Sequence, residues 1–375
     1  MTEENFRKWV EIARWAPSGG NAQPWRLVRL SSPSDLCFRL LVDPLYAKAP
    51  SNLDLDGAAS LIALGAFFES LDLVARLDGA ELQVQGLHDS SDFFAWSIDF
   101  KVSQAAAESP SPPALISSAN TVLRRTTNRF AYLEKEVPEE FCEWMCLDFK
   151  QRGFALKFFE SADERAQIIE HLYALEKIRW EQPAFLSSVL EELKEQPAEE
   201  DTQGIPFSQL PLRWNEVLLI RALKSQRWLW NLMPLGISGQ IAKSAVKVPI
   251  QGAPSFFYIH PLSVASQAQG KGFFDLGRSM QRLWLAAEEK GLALQPLAGH
   301  LLPHQALKNP AAFRLTAKQE VVMAKVAGRF QELWGLDLMQ PLFGFRMGYP
   351  TQAAPTSFRK GVDEILPSVQ DVLAS

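Results

Sequence analysis

With 375 residues, 47% of them hydrophobic and 22% charged, the chain has the material for a sizeable core and the length of about two ordinary domains, which excludes wholesale disorder. A net charge of −5, from 38 Lys and Arg against 43 Asp and Glu, lacks the basic excess of a nucleic-acid binder, so any anion site must be local. Three cysteines cannot build a disulfide framework, the N-terminus shows no leader pattern and no apolar run reaches spanning length, so a cytoplasmic protein without membrane or nucleic-acid partners is expected.

Taken in chain order, Thr2 with Glu3 and Glu4 opens a helix whose Phe6, Trp9, Ile12, Ala13 and Ala16 share a face, and Pro17 stops it. The corner that follows, "PSGGN" at 17–21, offers backbone N–H groups and the short side chains of Ser18 and Asn21, while Gly19 and Gly20 let a flat ligand approach. A plain Pro/Gly turn is the alternative. Phe94, Trp96, Ile98 and Phe100 alternate as a half-buried strand does. The Pro- and Ser-rich stretch 104–118 reads as a linker between domains 1–103 and 119–375.

Just beyond it, in "LRRTTNRF" at 123–130, Arg125, Thr127 and Arg129 alternate and project two guanidinium forks and a hydroxyl to one side, a set suited to phosphate; a solvated basic stretch is the alternative. Cys142 and Cys146, four apart, read as buried helix packing, since no further Cys or His nearby completes a metal set. "KEQPAEEDTQGIPFSQLP" separates two helical patterns, and Trp214, Trp228 and Trp230 follow at spacings that suit either core or a cover over a ligand. "APSFFYIHP" reads as a buried strand, and two long helices are expected to end at Gly291 and Gly335. The pattern is mixed α and β without regular alternation.

The chain also repeats itself. Residues 64–83 and 276–295 align at an offset of 212 with eight identities, among them Gly65 with Gly277, and residues 4–9 align with 139–144 at an offset of 135. The difference of 77 places an insertion in the second copy, between about 162 and 252, that is either a lid or a surface excursion.

Together, "APSxxNxQPW" and "RxTxR" resemble motifs of the FMN-dependent nitroreductase family; "GLALQPLAG" at 291–299 resembles its third motif, and "FRMGYP" at 345–350 with "TSFRK" at 356–360 its closing strand and basic tail. The resemblance implies an α+β nitroreductase-like fold in two tandem copies forming an intramolecular pseudo-dimer, and the layout resembles the tandem, Acg-type branch. Domain one has the corner but no Arg motif, with Val84 and Leu87 where domain two has Pro296 and Gly299. Domain two has the Arg motif and the loop, but "LDFKQRGFALKFF" at 147–159 in place of the corner. One complete FMN site is therefore implied.

In it, Arg125, Thr127, Arg129 and Arg359 hold the phosphate, and Pro17, Ser18, Gly19, Asn21 and Gln23 reach the ribityl chain and ring edge. Pro296 and Leu297 lead to Ala298 and Gly299, whose N–H groups face the flavin N5, and an acidic residue common at Ala298 in the family is missing. His300 and His304 are either proton donors or surface histidines. The implied activity is ping-pong hydride transfer from NAD(P)H to a nitroaromatic, quinone or similar conjugated acceptor, with no metal, in a monomeric pseudo-dimer or a further homodimer. The alternatives are a protein that sequesters FMN under "TQGIPFSQLPL" without turnover, and a flavin-free interaction scaffold.

Overall fold

The computed structural model describes residues 2–30, 36–48, 54, 56–105, 116, 118–198, 200–263, 270–297, 306 and 315–367. The Thr2 hydroxyl accepts from the Asn5 N–H and caps helix α1 (Glu3–Ala13), with Glu3 and Glu4 at its positive end and Phe6, Trp9, Val10 and Ala13 buried. The helix ends a turn before Pro17. Strands β1 (Trp25–Arg29) and β2 (Cys37–Val42) follow, then the short α2 (Pro44–Ala47), the long α3 (Ala58–Leu77), β3 (Ala80–His88) and β4 (Ser97–Gln104). All pairings are antiparallel, in the order β1-β2-β4-β3. Phe94 and Trp96 precede β4 instead of lying in it, because the Asp92 carboxylate accepts from the Phe94 N–H and winds Phe93–Ala95 into a tight turn.

The second part opens with α4 (Asn120–Arg124), α5 (Glu139–Gln151) and β5 (Phe154–Phe158). Residues 162–252 hold α6 (Ala162–Glu181), α7 (Pro183–Glu192), a parallel pair β6 (Leu193–Lys194) and β7 (Ile205–Pro206), then α8 (Trp214–Ser225), α9 (Ile237–Ala242) and α10 (Val248–Gln251). After them come β8 (Ser255–Pro261), α11 (Gly270–Glu289), β9 (Ala293–Leu297), α12 (Ala317–Trp334), β10 (Phe343–Gly348) and α13 (Val362–Ile365). The second four-stranded sheet is also wholly antiparallel, in the order β5-β8-β10-β9. First, second, fourth, third is thus the strand order of both sheets, and the fold class is α+β.

One core cluster runs through both parts: Phe68 and Trp96 contact Phe274, and Phe93 contacts Phe273. The segments 1–103 and 119–375 therefore do not bury separate cores. Their seam is the crossing of α3 and α11, where a Cβ at Gly65 would collide with the Phe274 carbonyl oxygen and a Cβ at Gly277 with the Ile62 carbonyl oxygen. Helix α3 is long and apolar enough to cross a membrane, contrary to the expectation that no such run exists, yet it lies buried in this seam. Its buried Glu69 accepts from Arg278 Nε at 2.8 Å and Arg282 Nε at 3.0 Å, with Arg152 at 3.7 Å, while Asp72 accepts from Arg278 Nη2 at 3.3 Å.

Burial alone would raise the Glu69 pKa, but Arg278, Arg282 and Arg152 together hold it down to about 2, whereas burial outweighs the cations and raises Asp72. Because the folded Glu69 value lies below the unfolded 4.5, its stabilisation is full above about pH 4.5 and is lost as the pH falls toward 2. The stability gap between the native protein and a Glu69→Gln variant, read by urea denaturation, is therefore expected to narrow from pH 5 to pH 3. A gap independent of pH would contradict this assignment.

Candidate functional site

Between α1 and β1 the chain turns through the glycine corner. Ser18 Oγ accepts from the Gln23 N–H at 3.0 Å, and Gly20, Asn21 and Gln23 take left-handed φ of 58°, 56° and 50°. That conformation costs Gly20 nothing, Asn21 little and Gln23 more, so something must hold Gln23 there. Its Nε2 donates to the carbonyls of Asn21 at 3.2 Å and Thr202 at 2.7 Å, its Oε1 accepts from the Lys360 N–H at 2.9 Å, and its carbonyl accepts from Lys360 Nζ at 3.1 Å. Gln23 is fully buried with these groups spent. It braces the corner and does not face the cleft, which corrects its expected role as a cofactor contact.

Opposite the corner, Arg125 leaves the end of α4 with extended backbone, and the segment hangs on the edge of the second sheet through a Thr127–Leu294 bridge and the Asn128 N–H to the Leu294 carbonyl at 3.3 Å. The C-terminal tail completes the ring. Asn21 Nδ2 donates to Ser357 Oγ and to the Phe358 carbonyl, both at 3.1 Å, and its Oδ1 accepts from Arg359 Nη1 at 2.9 Å. Beyond the tail, Asp363 at the start of α13 pairs with Arg7 of α1.

These pieces surround one cleft of about 50 Å³. Trp15, Pro17, Ser18 and Asn21 line it from one side; Arg125, Thr126, Thr127 and Arg129 line it from the other, with Thr356, Ser357 and Arg359 from the tail. Ile205 and Gln209 of the insertion line it as well. This strap is tied down by Gln203 Nε2 to the Ala22 carbonyl at 2.7 Å, Ser357 Oγ to the Gly204 carbonyl at 3.3 Å, and Gln209 Nε2 to the Pro355 carbonyl at 2.9 Å. Glu192, at the end of α7, fills the space where Gly20 would carry a Cβ, and burial raises its carboxyl pKa against the pull of Arg179 and Arg129.

Three guanidinium groups dominate the electrostatics of the cleft, with Glu192 acting on Arg129 and Glu288 on Arg125 as the nearby acidic groups. Arg125 Nη2 and Arg359 Nη2 share a single acceptor, the Trp15 carbonyl, at 3.0 and 3.3 Å, and the two guanidinium groups lie over the rings of Trp284 and Trp15 at 4.6 and 4.8 Å. Among the described residues, Arg125 Nε and Nη1, Arg129 Nη1 and Arg359 Nε are buried with no hydrogen-bond acceptor. Burial lowers Arg125 and Arg129 to about 10 and Arg359, which also faces Arg125 and Arg14, to about 9. All three stay charged at neutral pH. Among the described residues none of the three makes a salt bridge, so the set lacks the anion that would satisfy it.

Of the residues expected from sequence, Pro17, Ser18, Asn21, Arg125, Thr127, Arg129 and Arg359 meet at this cleft; Gly19 does not line it, and a Cβ there would meet open space. Pro296 pairs with Phe345 inside the sheet and Leu297 is buried in the core, so neither lines the cleft; Ala298, Gly299, His300 and His304 lie outside the described residues. Sequence reasoning missed Trp15 and Thr126; Ile205 and Gln209 lie in "TQGIPFSQLPL" and Thr356 and Ser357 in "TSFRK", stretches it named without singling out these residues. Trp214 and Trp228 are exposed and Trp230 packs within the insertion, its Nε1 donating to the Leu223 carbonyl, so none covers the cleft. Cys142 and Cys146 are not buried packing: Phe141, Met145 and Phe149 form the inner face of α5. Among the described residues no group of three or more His, Cys, Asp or Glu is placed to hold a metal.

The Nitroreductase family model matches residues 1–90. A Mycobacterium tuberculosis (strain CDC 1551 / Oshkosh) protein, Uncharacterized protein MT1398, is 25% identical over 300 residues, covering 77% of this chain; the chain spans 38% of that relative's length. The FMN-dependent nitroreductase NfnB from Mycobacterium smegmatis, solved with NADPH, is 18% identical, covering 67% of this chain and 98% of its own at a TM-score of 0.35. A nitroreductase with bound FMN from Desulfitobacterium hafniense DCB-2 is 12% identical, covering 67% and 96% at 0.34. Likeness this loose leaves the fold to be argued from this chain's own strands. The family model thus matches the capped helix, the glycine corner and the first three strands of this chain.

Proposed function

We propose that the chain is a fused pseudo-dimer of two nitroreductase-type halves that holds one FMN between them and, as an NAD(P)H-dependent oxidoreductase, reduces a nitroaromatic, a quinone or a similar conjugated acceptor. The observation that carries this is the set of buried, acceptor-less guanidinium N–H groups of Arg125, Arg129 and Arg359 facing one cleft whose other wall is the glycine corner. A phosphate monoester brings about two negative charges and three acceptor oxygens, which suits this donor set, and the cleft's volume suits the phosphate end of the ligand.

The duplication draws support from the helix crossing. Gly65 meets residue 274 and Gly277 meets residue 62, and both pairs map onto each other under the same offset of 212 that aligns the sequences. A contact of i with j matched by j with i is the signature of a two-fold interface. With the common strand order, it supports two copies of one fold facing each other.

When bound, flavin supplies the hydride chemistry. This chain's part is to fix the phosphate with Arg125, Arg129, Arg359 and Thr127, to offer Ser18 and Asn21 from the other half, and to flank the ligand with the strap. That same strap favours the second reading, sequestration without turnover, since Ile205 and Gln209 already line the cleft and the strap is tied to the corner and the tail.

The test is the visible spectrum of the purified protein, followed by anaerobic NADPH and NADH. Flavin absorbance bleached by either nicotinamide supports the oxidoreductase. Flavin bleached by dithionite but not by nicotinamides supports sequestration. Colourless protein that takes up no added FMN overturns both.

A further inference from the structure

The stretch 213–248 of the insertion carries six basic residues, Arg213, Arg221, Lys224, Arg227, Lys243 and Lys247, against one acidic residue, Glu216: a local net charge of +5 in a chain of net charge −5. It also leaves large apolar side chains in water. Trp214 is 78% exposed, Leu218 50%, Trp228 61%, Leu235 80% and Val248 63%. On α8, at 100° per residue, Trp214, Leu218, Arg221 and Ser225 fall on one face. The opposite face, Leu219, Ile220 and Leu223, packs toward Leu186, Leu190 and Met233. The outward stripe is therefore not core; it is a surface of bulky apolar groups on which Arg221 is paired with Glu195, so the charge left for a partner lies on Arg227, Lys243 and Lys247.

We propose that this face docks on an anionic phospholipid surface. The chemistry favours lipid in three ways. Trp is amphipathic and settles at the boundary between headgroup and hydrocarbon. Lys and Arg lay their stems along that boundary while the charged ends meet lipid phosphates. Lys243, Lys247 and Arg227 have no ion pair among the described residues and keep their charge for a partner.

A second copy of the chain fits worse, because two faces that each carry the unpaired cations Arg227, Lys243 and Lys247 repel each other. Docking of this kind is peripheral and needs no spanning helix. It revises the expectation of no membrane partner, which rested on spanning length alone. The strap over the cleft ends four residues before α8, so the cover of the cleft lies next to the proposed lipid face.

The experiment is flotation of the full chain with vesicles of phosphatidylcholine containing about 30% phosphatidylglycerol, against phosphatidylcholine alone, at low and at about 0.5 M salt. Expected is recovery with the anionic vesicles, lowered on the order of tenfold without phosphatidylglycerol or at high salt, with a blue shift of tryptophan emission. The pairs Trp214→Ala with Trp228→Ala, and Lys243→Glu with Lys247→Glu, are each expected to lower recovery on the order of tenfold while the melting temperature stays unchanged, since the four side chains are exposed. No recovery with anionic vesicles, or recovery undiminished in both double variants, overturns the proposal. Concentration-dependent dimerisation abolished by the Trp pair, without vesicle binding, assigns the face to a second copy and overturns it equally. Flavin content does not enter the readout, so failure here is distinct from failure of the proposed function.

Discussion

Replacing Arg125 by Met is expected to weaken FMN binding by about 1.5–3 kcal/mol while raising the stability of the flavin-free protein by about 1 kcal/mol. The opposite signs have one cause. With Nε and Nη1 buried and lacking acceptors, the cation carries a desolvation cost of several kcal/mol that its one hydrogen bond to the Trp15 carbonyl and its stacking on Trp284 return only in part. Met keeps the stem packing over Trp284 and removes the charge. A bound phosphate reverses the balance, because each N–H then finds a charged oxygen acceptor. Calorimetric titration with FMN and thermal melts without it measure the two halves. Unchanged affinity would place the phosphate elsewhere, and a flavin-free protein destabilised by more than about 1 kcal/mol would make Arg125 a structural residue.

Gly277→Ala, and separately Gly65→Ala, is expected to cost about 2–3 kcal/mol in urea denaturation. Alanine is the better helix former by about 1 kcal/mol, so the sign depends on the space available. At both positions the new methyl meets the backbone oxygen of the opposing helix, which cannot swing aside as a side chain does, and α3 and α11 must separate. Gly328, on the exposed side of α12 with open space around it, is the control: Gly328→Ala is expected to stabilise by up to about 1 kcal/mol. One widening of the crossing relieves both clashes, so the double variant at 65 and 277 is expected to cost less than the two singles together. Additive losses would contradict the reciprocal contact.

Read without a structure, the sequence already determined what local chemistry settles. Thr2 as a cap, Gly291 and Gly335 as the left-handed ends of long helices, the buried strand at Phe256–Ile259 and the Pro-Ser-Gly-Gly-Asn corner were legible because each depends on φ, a cap or a period within a few residues. The basic cluster at 125–129 and the pairing of Gly65 with Gly277 were legible as pattern. What those residues touch was not. Only the tertiary structure brings Arg359 beside Arg125 over the carbonyl of Trp15, spends Gln23 on bracing the corner, and sets Glu192 against Gly20. It also turns Trp214 and Trp228 toward water and starts β4 after Trp96. A period reveals that an element has two faces, while which face is covered, and by what, is decided by contacts between segments hundreds of residues apart, whose free energy no local stretch of sequence contains.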